Sequence, residues 1–128
     1  MNRTLVITAV LFLILAIILG AFGAHGLKEL VNEERLQTFE VGVKYQFYQG
    51  LGMLVLGLNA EKFKFSLKTI WTLLMTGTLM FSVSIYFLSI QDVLGASLKF
   101  LGPVTPVGGM LMILGWVILL WKMMRHSN

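Results

Sequence analysis

The sequence contains no cysteine among its 128 residues and only two prolines. The absence of cysteine excludes a disulfide framework, a thiolate metal site and any thiol-based redox mechanism. Charge is also scarce, since charged residues make up 12% of the chain against roughly 25% of a soluble domain. Hydrophobic residues reach 57%, which excludes a disordered chain and indicates an integral membrane protein.

The distribution of basic residues disfavours nucleic acid as a partner. The net charge is +4, but the ten lysines and arginines are scattered between apolar segments rather than clustered. Positive loops between apolar segments are typical of membrane proteins, in which they set the orientation. We therefore expect the lipid bilayer, and no nucleic acid, to be the partner of this chain.

Four apolar segments predict transmembrane helices, at about residues 4–24, 41–59, 67–90 and 105–122. Each is close to the roughly 20 residues that a helix needs to cross the hydrocarbon core. The first also fits a cleaved signal peptide, but three further apolar segments favour a retained span. The second is the most polar, with Lys44, Gln46 and Gln49. The predicted fold is all-α: one integral membrane domain over residues 1–128, built as an antiparallel four-helix transmembrane bundle.

Polar residues mark where the second and fourth helices begin. Asn32 followed by two glutamates is typical of an N-cap with acidic residues near the positive end of the helix dipole. An apolar face then recurs at three- or four-residue intervals, at Leu36, Phe39, Val43 and Phe47. These features predict a short amphipathic extension before the second span, which would end at Asn59. Thr105 is the predicted N-cap of the fourth helix, with Pro106 at its first position.

Basic residues also predict the orientation in the membrane. The side that holds both termini carries six of them, namely Arg3, Lys62, Lys64, Lys68, Lys122 and Arg125. The opposite side carries five of the six acidic residues and four basic ones, Lys28, Arg35, Lys44 and Lys99. By the positive-inside rule, we expect a multi-pass protein of the cell membrane with both termini in the cytoplasm.

Four motifs follow one another in the chain, one in or beside each predicted span. They are GAFGAHGL at residues 20–27, KYQFYQ at 44–49, FSVSIY at 81–86 and GPVTPVGG at 102–109. Together they resemble the small four-helix membrane family catalogued as domain of unknown function 423, found across bacteria with relatives in animals. The resemblance implies a polytopic inner or plasma membrane protein and no particular biochemical activity. The family pattern usually has a histidine after the tyrosine of the second motif, where this chain has Gln49.

Several common membrane mechanisms lack their residues here. A di-haem bundle needs paired histidines within spans, but the only histidines are His25 and His126, the latter in the tail. Proton-coupled exchangers need an embedded carboxylate, whereas all six acidic residues lie in or beside predicted loops. No nucleophile signature accompanies His25, and no phosphate-binding or zinc spacing is present. An enzyme is therefore unsupported, and we expect no cofactor and no metal site.

Polar residues from all four predicted helices fall at similar depth in the outer half of the bundle. They are His25, Lys44, Tyr45, Gln46, Gln49, Ser82, Ser84, Tyr86 and Thr105. The first functional hypothesis is a non-enzymatic protein that binds a lipid or a partner membrane protein through this polar layer. Interhelical hydrogen bonds and interfacial positions explain the same residues without a ligand. The alternative function is a small transporter or channel for an uncharged solute, because no charge lies in the middle of a predicted span.

Small residues predict where the helices approach one another. In lipid, helices associate through small side chains that allow close contact between backbones. The predicted packing residues are Ala16, Gly20, Gly23, Ala24, Gly77, Gly108 and Gly109. These small-residue faces are compatible both with a monomer and with a homo-oligomer.

Overall fold

The computed structural model describes residues 1–126, which form four long helices and no β-strand. The helices are α1 (Arg3–Ala24), α2 (Glu33–Leu58), α3 (Lys68–Leu94) and α4 (Val104–Arg125). Short 3₁₀ turns lie in the three connections, at Leu27–Glu29, Ala60–Lys62 and Lys99–Leu101. Helix α3 contains a wider π-helical turn at Leu79–Val83. The predicted all-α four-helix bundle is confirmed.

Neighbouring helices run antiparallel. Along α1 and α2, Gly57 lies against Leu5 near one end, and Gly23 lies against Phe39 near the other. Helices α2 and α3 are antiparallel in the same way, and so are α3 and α4. The terminal end of the bundle holds Met1, the 59–67 connection and Arg125, and the distal end holds the 25–32 and 95–103 connections.

Three of the helices, α1, α3 and α4, are long and apolar enough to cross a membrane. Helix α2 is the most polar of the four, as predicted, although its 26 residues give it ample length. It begins at Glu33 because the Asn32 side chain accepts a hydrogen bond from the Arg35 N–H at 2.8 Å. Its last helical residue is Leu58 and Asn59 is its C-cap, so the amphipathic extension, the start near Glu33 and the stop at Asn59 are confirmed.

The predicted start of the fourth helix is wrong. Helix α4 begins at Val104, and Pro103 before it already has helical φ and ψ values of −67° and −21°. The Thr105 hydroxyl does not cap the helix and instead contacts the Ser84 hydroxyl of α3 at 2.6 Å. Since Thr105 already lies within the first turn of α4, its hydroxyl binds across the helix interface instead of accepting from the N–H groups at the helix start.

The third helix extends beyond its predicted limit of about residue 90 and continues to Leu94. Gly95 ends it in the left-handed conformation, with φ +68°, which a residue with a side chain rarely adopts.

The apolar core lies in the half of the bundle nearer the terminal end. Its buried members come from all four helices and from the 59–67 connection: Leu5, Ala9, Phe12, Met53, Leu56, Leu67, Ile70, Leu74 and Leu119. Large apolar side chains also cover the outward faces of α1 and α4, where residues such as Ile17 and Met110 are exposed. Exposed apolar faces of this kind suit contact with lipid chains. The polar side chains buried in the structure are instead concentrated toward the distal half.

The closest helix contact joins α3 and α4 at Gly77 and Gly108. A Cβ atom added to either glycine would lie 2.8 Å from the carbonyl oxygen of the other. The two Cα–H groups therefore point at each other's carbonyl, as in weak Cα–H···O hydrogen bonds between helices. The π-helical turn follows directly, after Thr78, whose buried hydroxyl has no hydrogen-bond partner among residues 1–126.

The other predicted packing residues make looser or different contacts. A Cβ on Gly20 would meet Val43 at 3.5 Å, and one on Gly109 would meet Phe81 at 3.6 Å, both ordinary van der Waals distances. Gly23 lies closer to its neighbour, with 3.2 Å to the Phe39 ring. Among the small side chains of α1, Ala16 is buried and Ala24 is exposed.

Substitution of Gly108 by alanine should destabilise the bundle. The added methyl group meets backbone atoms, which cannot rotate away, so α3 and α4 must separate at a cost of about 1–3 kcal/mol. Gly109→Ala, one residue along, is the matched control and should have little effect. Thermal unfolding of both variants in detergent measures the difference. Equal unfolding temperatures would show that the helices are not held at this distance.

Candidate functional site

Gln46 links helices in the distal half of the bundle through its side chain. Its side chain is buried on α2, where Nε2 donates to the Phe12 carbonyl of α1 at 2.9 Å. Its Oε1 accepts from the Tyr86 hydroxyl of α3 at 2.6 Å. Both ends of the amide are therefore occupied, and one side chain joins three helices.

Serine and threonine hydroxyls make two further links between helices. Ser82 donates to the carbonyl of Gly42 on α2 at 2.8 Å, and Ser84 contacts Thr105 on α4 at 2.6 Å. Gly42 also makes room for its neighbour on α3, because a Cβ there would lie 2.8 Å from the Tyr86 ring. These contacts place α3 between α2 and α4.

A second glutamine on α2 is arranged differently. Gln49 Oε1 accepts from the Trp116 indole N–H of α4 at 2.8 Å. Because an indole nitrogen is only a donor, this contact fixes which end of the amide is the oxygen. The other end, Nε2, has no hydrogen-bond acceptor among residues 1–126. Gln49 thus keeps two unused N–H donors, on an atom that is not buried.

Gln49 lines a lateral cavity of about 250 Å³ between α2 and α4. We call this cavity the α2–α4 groove, and its lining residues are Tyr45, Gln49, Phe81, Gly109, Met112, Ile113 and Trp116. Its walls are mainly aromatic and aliphatic, with Gln49 as the amide. The groove is therefore an apolar site with a hydrogen-bonding group of fixed orientation.

Aromatic contacts shape the groove. Tyr45 packs edge-on against Phe81, with ring centroids 5.0 Å apart. On the other wall, Trp116 lies over Gly52, where a Cβ would approach the indole ring to 2.7 Å. A larger residue at position 52 would displace the indole and with it the hydrogen bond to Gln49.

A family model described as "Protein of unknown function (DUF423)" matches residues 19–109. The chain belongs to this family. The matched region contains Gln46, Gln49 and Tyr86, whereas Trp116 lies beyond it. The DUF423 resemblance expected from the four motifs is therefore confirmed.

Similar proteins are named as membrane proteins. A UPF0382 membrane protein of Staphylococcus epidermidis is 36% identical over 126 residues, which cover 98% of this chain and 99% of the relative. UPF0382 membrane protein YwdK of Bacillus subtilis is 34% identical over 126 residues, which cover 97% and 98%. A Staphylococcus aureus relative is 33% identical over 118 residues, which cover 92% and 93%. No solved structure matches the chain.

These relatives and the apolar helices confirm that this DUF423 chain is a multi-pass membrane protein. Its predicted polar layer divides into three groups. Gln46 pairs with Tyr86 and Ser84 pairs with Thr105, so these four residues contact one another. Ser82, Gln49 and Tyr45 contact residues outside the predicted set. His25 and Lys44 are exposed, and neither side chain makes a hydrogen bond or ion pair among residues 1–126.

Trp116 and Gly42 are among the site residues that sequence reasoning missed. Trp116 is not among the predicted site residues and lies near the middle of α4. An indole N–H in the middle of a span needs an acceptor, and Gln49 is an amide within the facing helix. That complementarity was the available signal. Gly42 offered no such signal, because its role depends on the ring that packs against it.

Removal of the contact between Gln46 and Tyr86 should reveal a measurable coupling. In a double-mutant cycle with Gln46→Leu and Tyr86→Phe, we expect a coupling free energy of about 0.6–1.7 kcal/mol. Unfolding in detergent with increasing denaturant measures each variant. Tyr48→Phe, which removes an exposed hydroxyl from the same helix as Gln46, is the control. A coupling near zero would mean that the two side chains do not act together.

Proposed function

We propose that this protein binds an uncharged membrane lipid in the α2–α4 groove, with an oxygen of the lipid accepting hydrogen bonds from Gln49 Nε2. The observation that carries the proposal is the fixed amide: Trp116 occupies its oxygen, and its N–H donors remain unused. In hydrocarbon an unused donor has no water to bind, so an acceptor on a ligand is favoured strongly.

The position of the groove supports an uncharged ligand. Phe81 and Trp116 lie near the middle of α3 and α4, so the groove is far from both ends of the bundle. A charged head group would be costly at that depth, whereas a carbonyl or hydroxyl oxygen is tolerated. The aromatic walls of the groove also suit a flat ring or an isoprenoid chain.

The size of the groove favours a lipid over a helix of a partner membrane protein. One turn of an α-helix about 10 Å across occupies roughly 400 Å³. The groove holds about 250 Å³, which is less than that turn needs. A slender chain or a small ring system fits this volume without separation of α2 from α4.

Binding should depend on an oxygen in the ligand. We expect a prenylated naphthoquinone and a short-chain diacylglycerol to bind the purified protein, and the hydrocarbon squalane to bind more weakly. Gln49→Leu should weaken binding of the oxygenated lipids by about 3- to 10-fold, the value of one lost hydrogen bond, and leave squalane unaffected. Gln37→Leu, an exposed substitution of the same type on α2, is the control.

Native mass spectrometry measures lipid retention, and unfolding in detergent shows whether the variant is intact. The preference for oxygenated lipids over squalane compares two ligands on the same protein, so it does not depend on the total stability of that protein. Equal binding of squalane, or an unchanged preference in Gln49→Leu, would contradict the proposal. Liposomes that contain the protein should show no glycerol flux above protein-free liposomes. Such a flux would favour the transport alternative instead.

A further inference from the structure

A second cavity lies at the distal end, where the start of α2 meets the end of α3. It measures about 350 Å³ and shares no lining residue with the α2–α4 groove. Its polar lining residues are Arg35, Gln91, Asp92, Ser97 and Lys99. Two cations and one carboxylate give this distal cavity a net positive charge.

Gln91 supplies an amide of fixed orientation. The residue is 9% exposed, and its Oε1 accepts from the backbone N–H of Leu98 at 2.9 Å. A backbone N–H is only a donor, so the other end of the amide is Nε2. No group among residues 1–126 accepts from Nε2, and Gln91 lines the distal cavity. Nε2 is not a buried atom, so its unused donors are accessible beside the cavity and suit a ligand with acceptor oxygens.

Arg35 is held at the wall of the same cavity. Its Nε lies 3.3 Å from Asp92 Oδ2, and its Nη1 donates to the Leu88 carbonyl at 3.2 Å. A guanidinium has five N–H donors, so several remain after these two contacts. The contact with Leu88 also holds the guanidinium against the last turns of α3.

We infer that the distal cavity binds a phosphate group. Residues with guanidinium, ammonium, amide and hydroxyl donors line it, namely Arg35, Lys99, Gln91 and Ser97, beside the carboxylate of Asp92. A phosphate has enough acceptor oxygens to use donors that arrive from several directions, and arginine recognises it well. The group belongs either to a lipid head group at the membrane surface or to a soluble phosphate ester. This inference is independent of the neutral-lipid groove.

Three probes test the site and its source of phosphate. Dioctanoyl phosphatidylglycerol should bind at this site, and dioctanoylglycerol, which lacks the phosphate, should not. Glycerol 3-phosphate is the soluble competitor: displacement of the lipid shows that the phosphate ester alone suffices, and no displacement assigns the site to a lipid. If substitutions of Gln91 and Lys99 weakened the binding of dioctanoylglycerol and of the phospholipid equally, recognition of phosphate would be contradicted.

Two substitutions separate binding from folding. Gln91→Glu retains an oxygen for the Leu98 N–H but replaces the free amide with an acidic oxygen, so phospholipid binding should fall by about tenfold or more. Lys99→Gln should weaken binding by about 3- to 10-fold. Lys28→Gln removes the same charge at the distal end, outside the distal cavity, and should change nothing.

Native mass spectrometry measures these affinities, and Gln49→Leu serves as a cross-check because it should leave phospholipid binding unchanged. The inference is overturned if Gln91→Glu and Lys99→Gln bind phosphatidylglycerol as Lys28→Gln does. If Gln49→Leu loses dioctanoylglycerol binding and the distal variants do not, the loss belongs to the α2–α4 groove. The proposals for the two sites are therefore tested independently.

Discussion

The Gln46 amide meets a condition that lipid imposes on every buried polar group, which is that its partners must come from the protein. Its two ends bind the Phe12 carbonyl and the Tyr86 hydroxyl, so α1, α2 and α3 are joined at one point. The ring of Tyr86 can reach that point only because Gly42 has no side chain. Helix α4 is then attached to α3 through the Ser84 and Thr105 hydroxyls. The distal half of the bundle depends on this sequence of contacts.

Local signals predicted the helices well, because apolar length and the caps at Asn32 and Asn59 depend on neighbouring residues alone. The start of α4 was wrong because the Thr105 hydroxyl binds across to α3, a contact that local rules do not include. The types of polar residue in the site were also predictable. Their pairing was not, because it depends on the rotation of each helix. That rotation follows from close contacts such as Gly52 with Trp116.

Gln46 differs from Gln49 and Gln91 because its hydrogen-bond partners differ from theirs. The amide of Gln46 is satisfied at both ends and stabilises the bundle. In Gln49 and Gln91 a donor-only group holds the oxygen, and the nitrogen is left without a partner among residues 1–126. Both amides are thereby held in one orientation without a ligand, so a ligand bound there, as proposed, would cost little side-chain entropy. Residue type alone does not distinguish these roles.

The wide π-helical turn of α3 affects which residues share its buried face. Ile70, Leu74, Thr78 and Ser82 are all buried at intervals of four residues, whereas a regular helix turns about 40° too far at each such interval. The wider turn at Leu79–Val83 corrects the last interval before the site. A segment one residue shorter would rotate the distal half of α3 and present Ser84 and Tyr86 to different helices. The length of this turn therefore matters to the site as much as the side chains that it carries.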